Sequence, residues 1–163
     1  MRLTFGLAAI VLALASCSPR AGNGSATAAT AAVLPARHPE SGLLVIPLRI
    51  MSRGRAHAFR VEVARDTAEQ ARGLMFRKAM GADEGMIFPM EPARDASFWM
   101  RNTVIPLDIV FIGPDGRILN IRANAVPYSE APLDSAGKVK AVLELNGGRS
   151  AELGIAPGDT VTW

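Results

Sequence analysis

The sequence predicts a mostly β, α+β domain: a compact, largely antiparallel β-barrel or sandwich carrying two short helices. Three observations lead there. Short apolar runs recur at close spacing, and one of them alternates strictly between apolar and polar residues. Gly, Pro, Asn or Asp bounds nearly every run. The stretches between the runs are too short for the crossover helices of a doubly wound parallel sheet.

At the start of the chain, Met1-Arg2 precedes an uncharged run from Leu3 to Ala15, a cationic start with an apolar stretch shorter than the roughly 20 residues that span a bilayer. Residues 1–16 read as a signal peptide. Leu14-Ala15-Ser16-Cys17 resembles the lipobox of bacterial lipoproteins, which makes Cys17 the acylated first residue of the mature chain. It is the only cysteine, so no disulfide can use it. Acyl chains contribute about 0.8 kcal/mol per buried methylene and anchor a protein to membrane lipid without a spanning helix. Ser18 stands where lipoproteins retained at the inner membrane carry Asp, so the resemblance implies export to the periplasmic face of the outer membrane.

Residues 17–41 comprise lipidated Cys17 and a stretch dominated by Ala, Gly, Ser, Thr and Pro, and they read as a flexible tether because they bury little apolar surface. Residues 42–163 are the right size for one domain with its own core. Arg2, Arg20 and Arg37 are among the 18 basic residues and Glu40 among the 15 acidic ones, which leaves the domain 15 against 14, a net charge of +1. The basic balance lies mostly outside the domain. No basic cluster with interleaved aromatics occurs, so nucleic acid is not an expected partner.

Within the domain, Leu43 to Ile50 reads as a first strand that Pro47 pushes to a sheet edge or a bulge. From His57 to Ala64 the alternation places Phe59, Val61 and Val63 on a buried face and Arg60 and Glu62 on the other. Thr67-Ala68-Glu69-Gln70 has capping-box spacing and Gly73 supplies a left-handed stop, which predicts a helix of about two turns. Further strands are expected at 85–88, 97–100, 107–112, 117–125, 139–145 and 160–163. Gly113-Pro114-Asp115-Gly116 joins two of them as a hairpin, and Ser150 to Leu153 before Gly154 allows a second short helix.

Asp108 is the most informative residue for chemistry, because it interrupts Leu107-Ile109-Val110-Phe111-Ile112, a run apolar enough to be buried on both faces. A desolvated carboxylate needs an arginine or backbone donors. Glu144, between Leu143 and Leu145, poses the same problem, and Arg72, Arg77 and Arg101 are the candidate partners. Structural ion pairing and a ligand site both fit this pattern. Phe98-Trp99-Met100-Arg101-Asn102-Thr103 mixes aromatics, a cation, an amide and a hydroxyl, which suits either a pocket wall or a core strand followed by a polar turn. Met75, Met80, Met86, Met90 and Met100 cluster in the sequence. Such sulfurs can bind Cu(I), with Met75, Met86 and Met100 the candidate ligands, or simply fill core gaps. Zinc is disfavoured with no cysteine and only His57 in the domain, and the same count weakens Ser-His-Asp or Cys-His catalysis. No cofactor is expected.

Gly73-Leu74-Met75-Phe76-Arg77, Gly85-Met86-Ile87-Phe88, Phe98 to Thr103, Pro106-Leu107-Asp108, Val142 to Leu145 and Gly158-Asp159 occur in one order. Together they resemble the family known as domain of unknown function 192, over about Phe59 to Trp163. The resemblance implies a small β-rich fold, often exported, with no agreed activity. Pro89-Met90 and Asn146-Gly147-Gly148 depart from the pattern and bear on loop shape.

The expected function is a tethered small-ligand-binding or envelope-interaction domain with a groove built from Arg72, Arg77, Trp99, Asn102 and Asp108. The alternatives are a hydrolase using Asp108 and Glu144 and a Cu(I)-handling protein.

Overall fold

A computed structural model of the chain describes residues 36–163. The segment read as a signal peptide, Cys17 and all but the end of the segment read as a tether lie outside the described residues.

The hairpin of β1 (Val45–Ser52) and β2 (Arg55–Val63) turns through Arg53 and Gly54. Both take positive φ, 49° and 76°, the backbone that lets a two-residue turn follow the strand twist. After α1 (Thr67–Arg72), β3 (Glu84–Arg94) returns parallel to β2. Then come β4 (Ser97–Phe98), β5 (Leu107–Ile112), β6 (Ile118–Ala125), β7 (Leu133–Asp134), β8 (Val139–Asn146), α2 (Arg149–Leu153) and β9 (Thr160–Thr162). Seven strands form one mixed sheet in the order β6-β5-β8-β3-β2-β1-β9, and β4 pairs with β7 beside it. The expected Gly113–Gly116 turn joins β5 to β6, with Gly116 N donating to Gly113 O at 2.9 Å.

Every strand of the large sheet contributes to a first core that includes Ile50, Val61, Ile87, Val110, Ile118, Leu143 and Val161. The sheet therefore curls around its own inner face. Its two edges meet at a single bridge, Arg117 to Thr160, and the ladder does not close. The expectation of a largely antiparallel sheet holds for every pair except β2–β3, where the connection through residues 64–83 supplies the crossover a parallel pair needs. β9 reaches only Arg49–Met51 of β1, so Pro47 has no strand on its outer side, as its missing N–H requires.

A second core, with Leu74, Met86, Phe88, Met100, Ile109 and Phe111, covers the opposite face of β3, β5 and β8. Burial on both sides is why β5 reads as a continuous apolar run; all of its residues are buried, Asp108 included.

Three local expectations are corrected. The N-cap of α1 is Asp66, not Thr67: its carboxylate accepts from Glu69 N at 2.8 Å, and the Glu69 carboxylate accepts from Asp66 N at 3.1 Å. Glu62 does not face solvent; it is buried beneath residues 38–41 and Arg77. The end of the tether packs on the domain, with Arg37 bridged to Leu44 and Glu40 paired to Arg77 at 2.9 Å. Among the described residues no helix is long and apolar enough to cross a membrane.

Candidate functional site

A cavity of about 440 Å³ opens over the second core, between the C-terminal end of α1 and residues 94–103. Gly73 ends α1 at φ 47° and ψ −134°, a positive-φ conformation but not the expected left-handed helical one, and a Cβ there would make ordinary van der Waals contact with the Phe88 ring at 3.4 Å. Phe88 meets Phe98 edge to face at 5.1 Å, and Phe98 meets Phe111 at 6.3 Å, a rigid aromatic row. Leu74, Met90 and Ala96 complete the apolar wall.

Glu144 lines this cavity from β8. Strand register sets it between Met86 of β3 and Ile109 of β5, so its side chain leaves the sheet on the second-core face. It is only 5% exposed, and among the described residues its carboxyl has no hydrogen-bond or ion-pair partner. Burial among apolar neighbours pushes its pKa up to about 8, so the group is an uncharged acid at neutral pH. β3 can lie this close to β8 because residue 85 is glycine: a Cβ there would stand 2.5 Å from the Glu144 carbonyl oxygen.

Cations mark the mouth. Arg72, Arg94 and Arg101 line it, with Asp95 the only acid there besides Glu144 among the described residues. Arg101 is committed: it grips Glu130 with two bonds of 3.1 and 2.9 Å and stacks 4.1 Å over the half-exposed Trp99 ring. Arg72 and Arg94 have no carboxylate partner among the described residues. Arg94 donates only to the Met90 sulfur.

Of the residues expected to build a groove, Arg72 and Trp99 line the cavity and three do not. Arg77 is buried in a bidentate pair with Glu62, at 2.8 and 3.1 Å, a partner that the outward reading of Glu62 concealed. Asn102 takes positive φ (56°) in a tight turn, its carbonyl accepting from Phe76 N and its amide donating to the Met75 sulfur. Asp108 is fully buried on the first-core side. One of its oxygens accepts from Asn124 N and Gly148 N, both at 2.9 Å, and the other from Ser150 N at 2.8 Å. Backbone donors, not an arginine, satisfy it, and it caps α2 from a neighbouring strand.

Asp108 and Glu144 stand on adjacent strands but leave the sheet on opposite faces, so they do not form an acid–base pair. Met86 and Met100 are sealed in the second core at 0% exposure, while Met75 lines the cavity. Among the described residues no three His, Cys, Asp or Glu side chains converge on a point. The sequence pattern marked Phe98 as part of a possible pocket wall but did not mark Gln70 or Arg94 as cavity residues. Gln70 carried a signal, since it falls on the helix face turned toward the sheet, where its amide reaches Pro89 O at 3.0 Å.

A curled mixed sheet with apolar layers on both faces and a cavity over the outer one defines a small, β-rich domain. Residues 48–163 match the family DUF192, described as "Uncharacterized ACR", and the chain belongs to that family. It is similar to a protein of unknown function from Novosphingobium aromaticivorans DSM 12444, with 58% identity, a TM-score of 0.78, and coverage of 81% of this chain and 94% of that one. It is also similar to a protein of Sinorhizobium meliloti 1021 described as a candidate transcription regulator, with 43% identity, a TM-score of 0.72, and coverage of 74% and 94%. Comparison with curated proteins finds no match.

Proposed function

We propose that this protein is an exported lipoprotein, held by acylated Cys17 on the periplasmic face of the outer membrane, whose domain binds a small ligand in the cavity over the second core. One observation carries the binding reading: the buried Glu144 carboxyl, without a partner among the described residues, lines a cavity of mixed apolar and polar character large enough for a small organic molecule. Native proteins rarely leave a buried polar group unpaired, and the exceptions call for an explanation; a ligand that supplies the missing partner is one. The pocket volume falls within the range of about 300–1,000 Å³ found for small-molecule sites. Anchoring rests on Leu14 to Cys17 and on the lone cysteine. An envelope component that presents a small apolar group to the same cavity would be recognised by the same chemistry.

Two measurements test the two halves. Amide spectra of the protein, recorded with a panel of small organic compounds, should show shifts centred on residues 70–75 and 96–99 for the compounds that bind. Shifts confined to other parts of the surface would refute the cavity as the site. Cys17→Ser should release the protein from the membrane fraction or leave it unprocessed, and unaltered processing and membrane association would refute the anchor.

A further inference from the structure

We propose that the ligand is a small organic anion: a compact apolar body, such as one aromatic ring, with an acid group held at the mouth by Arg72 and Arg94 and an uncharged hydrogen-bonding group that reaches Glu144. This rests on the binding reading above and adds to it the chemical class of the ligand.

The mouth selects for charge. Arg72 and Arg94 line it without carboxylate partners among the described residues, while Arg101 is neutralised by Glu130. Asp95 offsets one of the two cations that remain. A guanidinium at the edge of an apolar cleft is poorly screened on its inner side and presents a flat pair of donors to a carboxylate. A cationic ligand would meet the same groups as repulsion.

The middle selects for an apolar body. Leu74, Phe88, Met90 and Phe98 form the apolar wall, with Phe88 packed edge to face on Phe98. The inner end selects for a neutral polar group. Glu144 holds its proton there and offers one O–H donor and one carbonyl acceptor. A hydroxyl, carbonyl or amide can complete that pair with no transfer of charge into the core, whereas a second acid would be desolvated without compensation.

The test uses the full-length protein and four probes that share one skeleton. These are 3-(4-hydroxyphenyl)propionate, with acid and hydroxyl; 3-phenylpropionate, without the hydroxyl; 4-ethylphenol, without the acid; and tyramine, with an ammonium in place of the acid. Dissociation constants come from amide shift titrations at pH 7. The hydroxylated propionate is expected to bind at least tenfold more tightly than tyramine. The double variant Arg72→Gln, Arg94→Gln should reduce it to the affinity of 4-ethylphenol, and both arginines are exposed, so the fold should tolerate the change. Glu144→Leu should abolish the advantage of the hydroxylated over the plain propionate. Tyramine binding as tightly as the propionate, at the same residues, would overturn the proposed class while leaving the cavity a binding site. If no probe shifts the cavity residues at millimolar concentration, the binding reading falls and the class with it.

Discussion

Glu144→Gln tests the buried acid directly, because the substitution preserves shape while removing the titration. The folded protein raises the pKa of Glu144 from 4.5 to about 8 by burial. Proton counts in the two states set the sign of the linkage. Below pH 4.5 both folded and unfolded chains hold the proton, and the group does not bias folding. Between 4.5 and about 8 the unfolded chain releases it and the folded chain does not, so stability falls as pH rises, by about 1.4 kcal/mol per pH unit. At pH 7 the accumulated cost is about 3 kcal/mol, a substantial fraction of the stability of a small domain. Glutamine, which does not ionise, escapes it. Urea denaturation followed by circular dichroism should therefore show Glu144→Gln more stable than wild type by about 3 kcal/mol at pH 7, with a midpoint temperature higher by on the order of 10 °C. The two proteins should converge as pH approaches 4.5. A difference that stays constant from pH 4.5 to 8 would refute the reasoning, since it would mean that Glu144 ionises normally in the fold.

Two further substitutions separate structural charges from the site. Asp108→Ala strands the amide N–H groups of Asn124, Gly148 and Ser150, and at about 1–3 kcal/mol for each unsatisfied buried group it should destabilise by several kcal/mol in chemical denaturation. A loss under about 0.5 kcal/mol, as for a surface site, would show that these bonds contribute little. Arg77→Ala leaves Glu62 buried without its bidentate partner and should cost about 3–5 kcal/mol; because Arg77 lies outside the cavity, probe affinity measured on the folded fraction should not follow that loss.

Much of the fold was legible because local signals and burial agree. The alternation from His57 to Ala64 marked β2, Pro47 marked the outer side of β1, and Gly73 marked the end of α1. What escaped depended on contacts distant in sequence. Glu62 sits on the polar phase of its strand, and only residues 38–41 folding back with Arg77 make that face buried. The parallel pairing of β2 with β3 is set by where the 64–83 connection lands, and that segment shows only one short helix by pattern. β7 is two residues long, too short for any periodicity. The capping box slid by one residue because Asp66 and Thr67 are both good caps, and the helix began after the first of them.

The two core carboxylates show why the candidate site was only half legible. Asp108 and Glu144 carry the same signal in sequence, an acid inside an apolar strand, and sequence alone orders neither above the other. The sheet separates them by face. On the inner side, the β8–α2 connection brings Gly148 and Ser150 amides to Asp108, and the tight approach at Gly147, where a Cβ would lie 2.9 Å from Pro106, holds those amides in place. The ion is thereby solvated by backbone and becomes part of the scaffold. On the outer side, the elements over Glu144 are α1 and residues 94–103, and none of their donors bonds to it: the Gln70 amide is engaged with Ala64 O and Pro89 O and Arg101 with Glu130, while Arg72 and Arg94 are exposed and make no bond to Glu144. Glu144 is left to keep its proton or to find a partner from outside. The fold thus satisfies one buried acid with three bonds and leaves its neighbour without a partner among the described residues, on the face where the cavity opens.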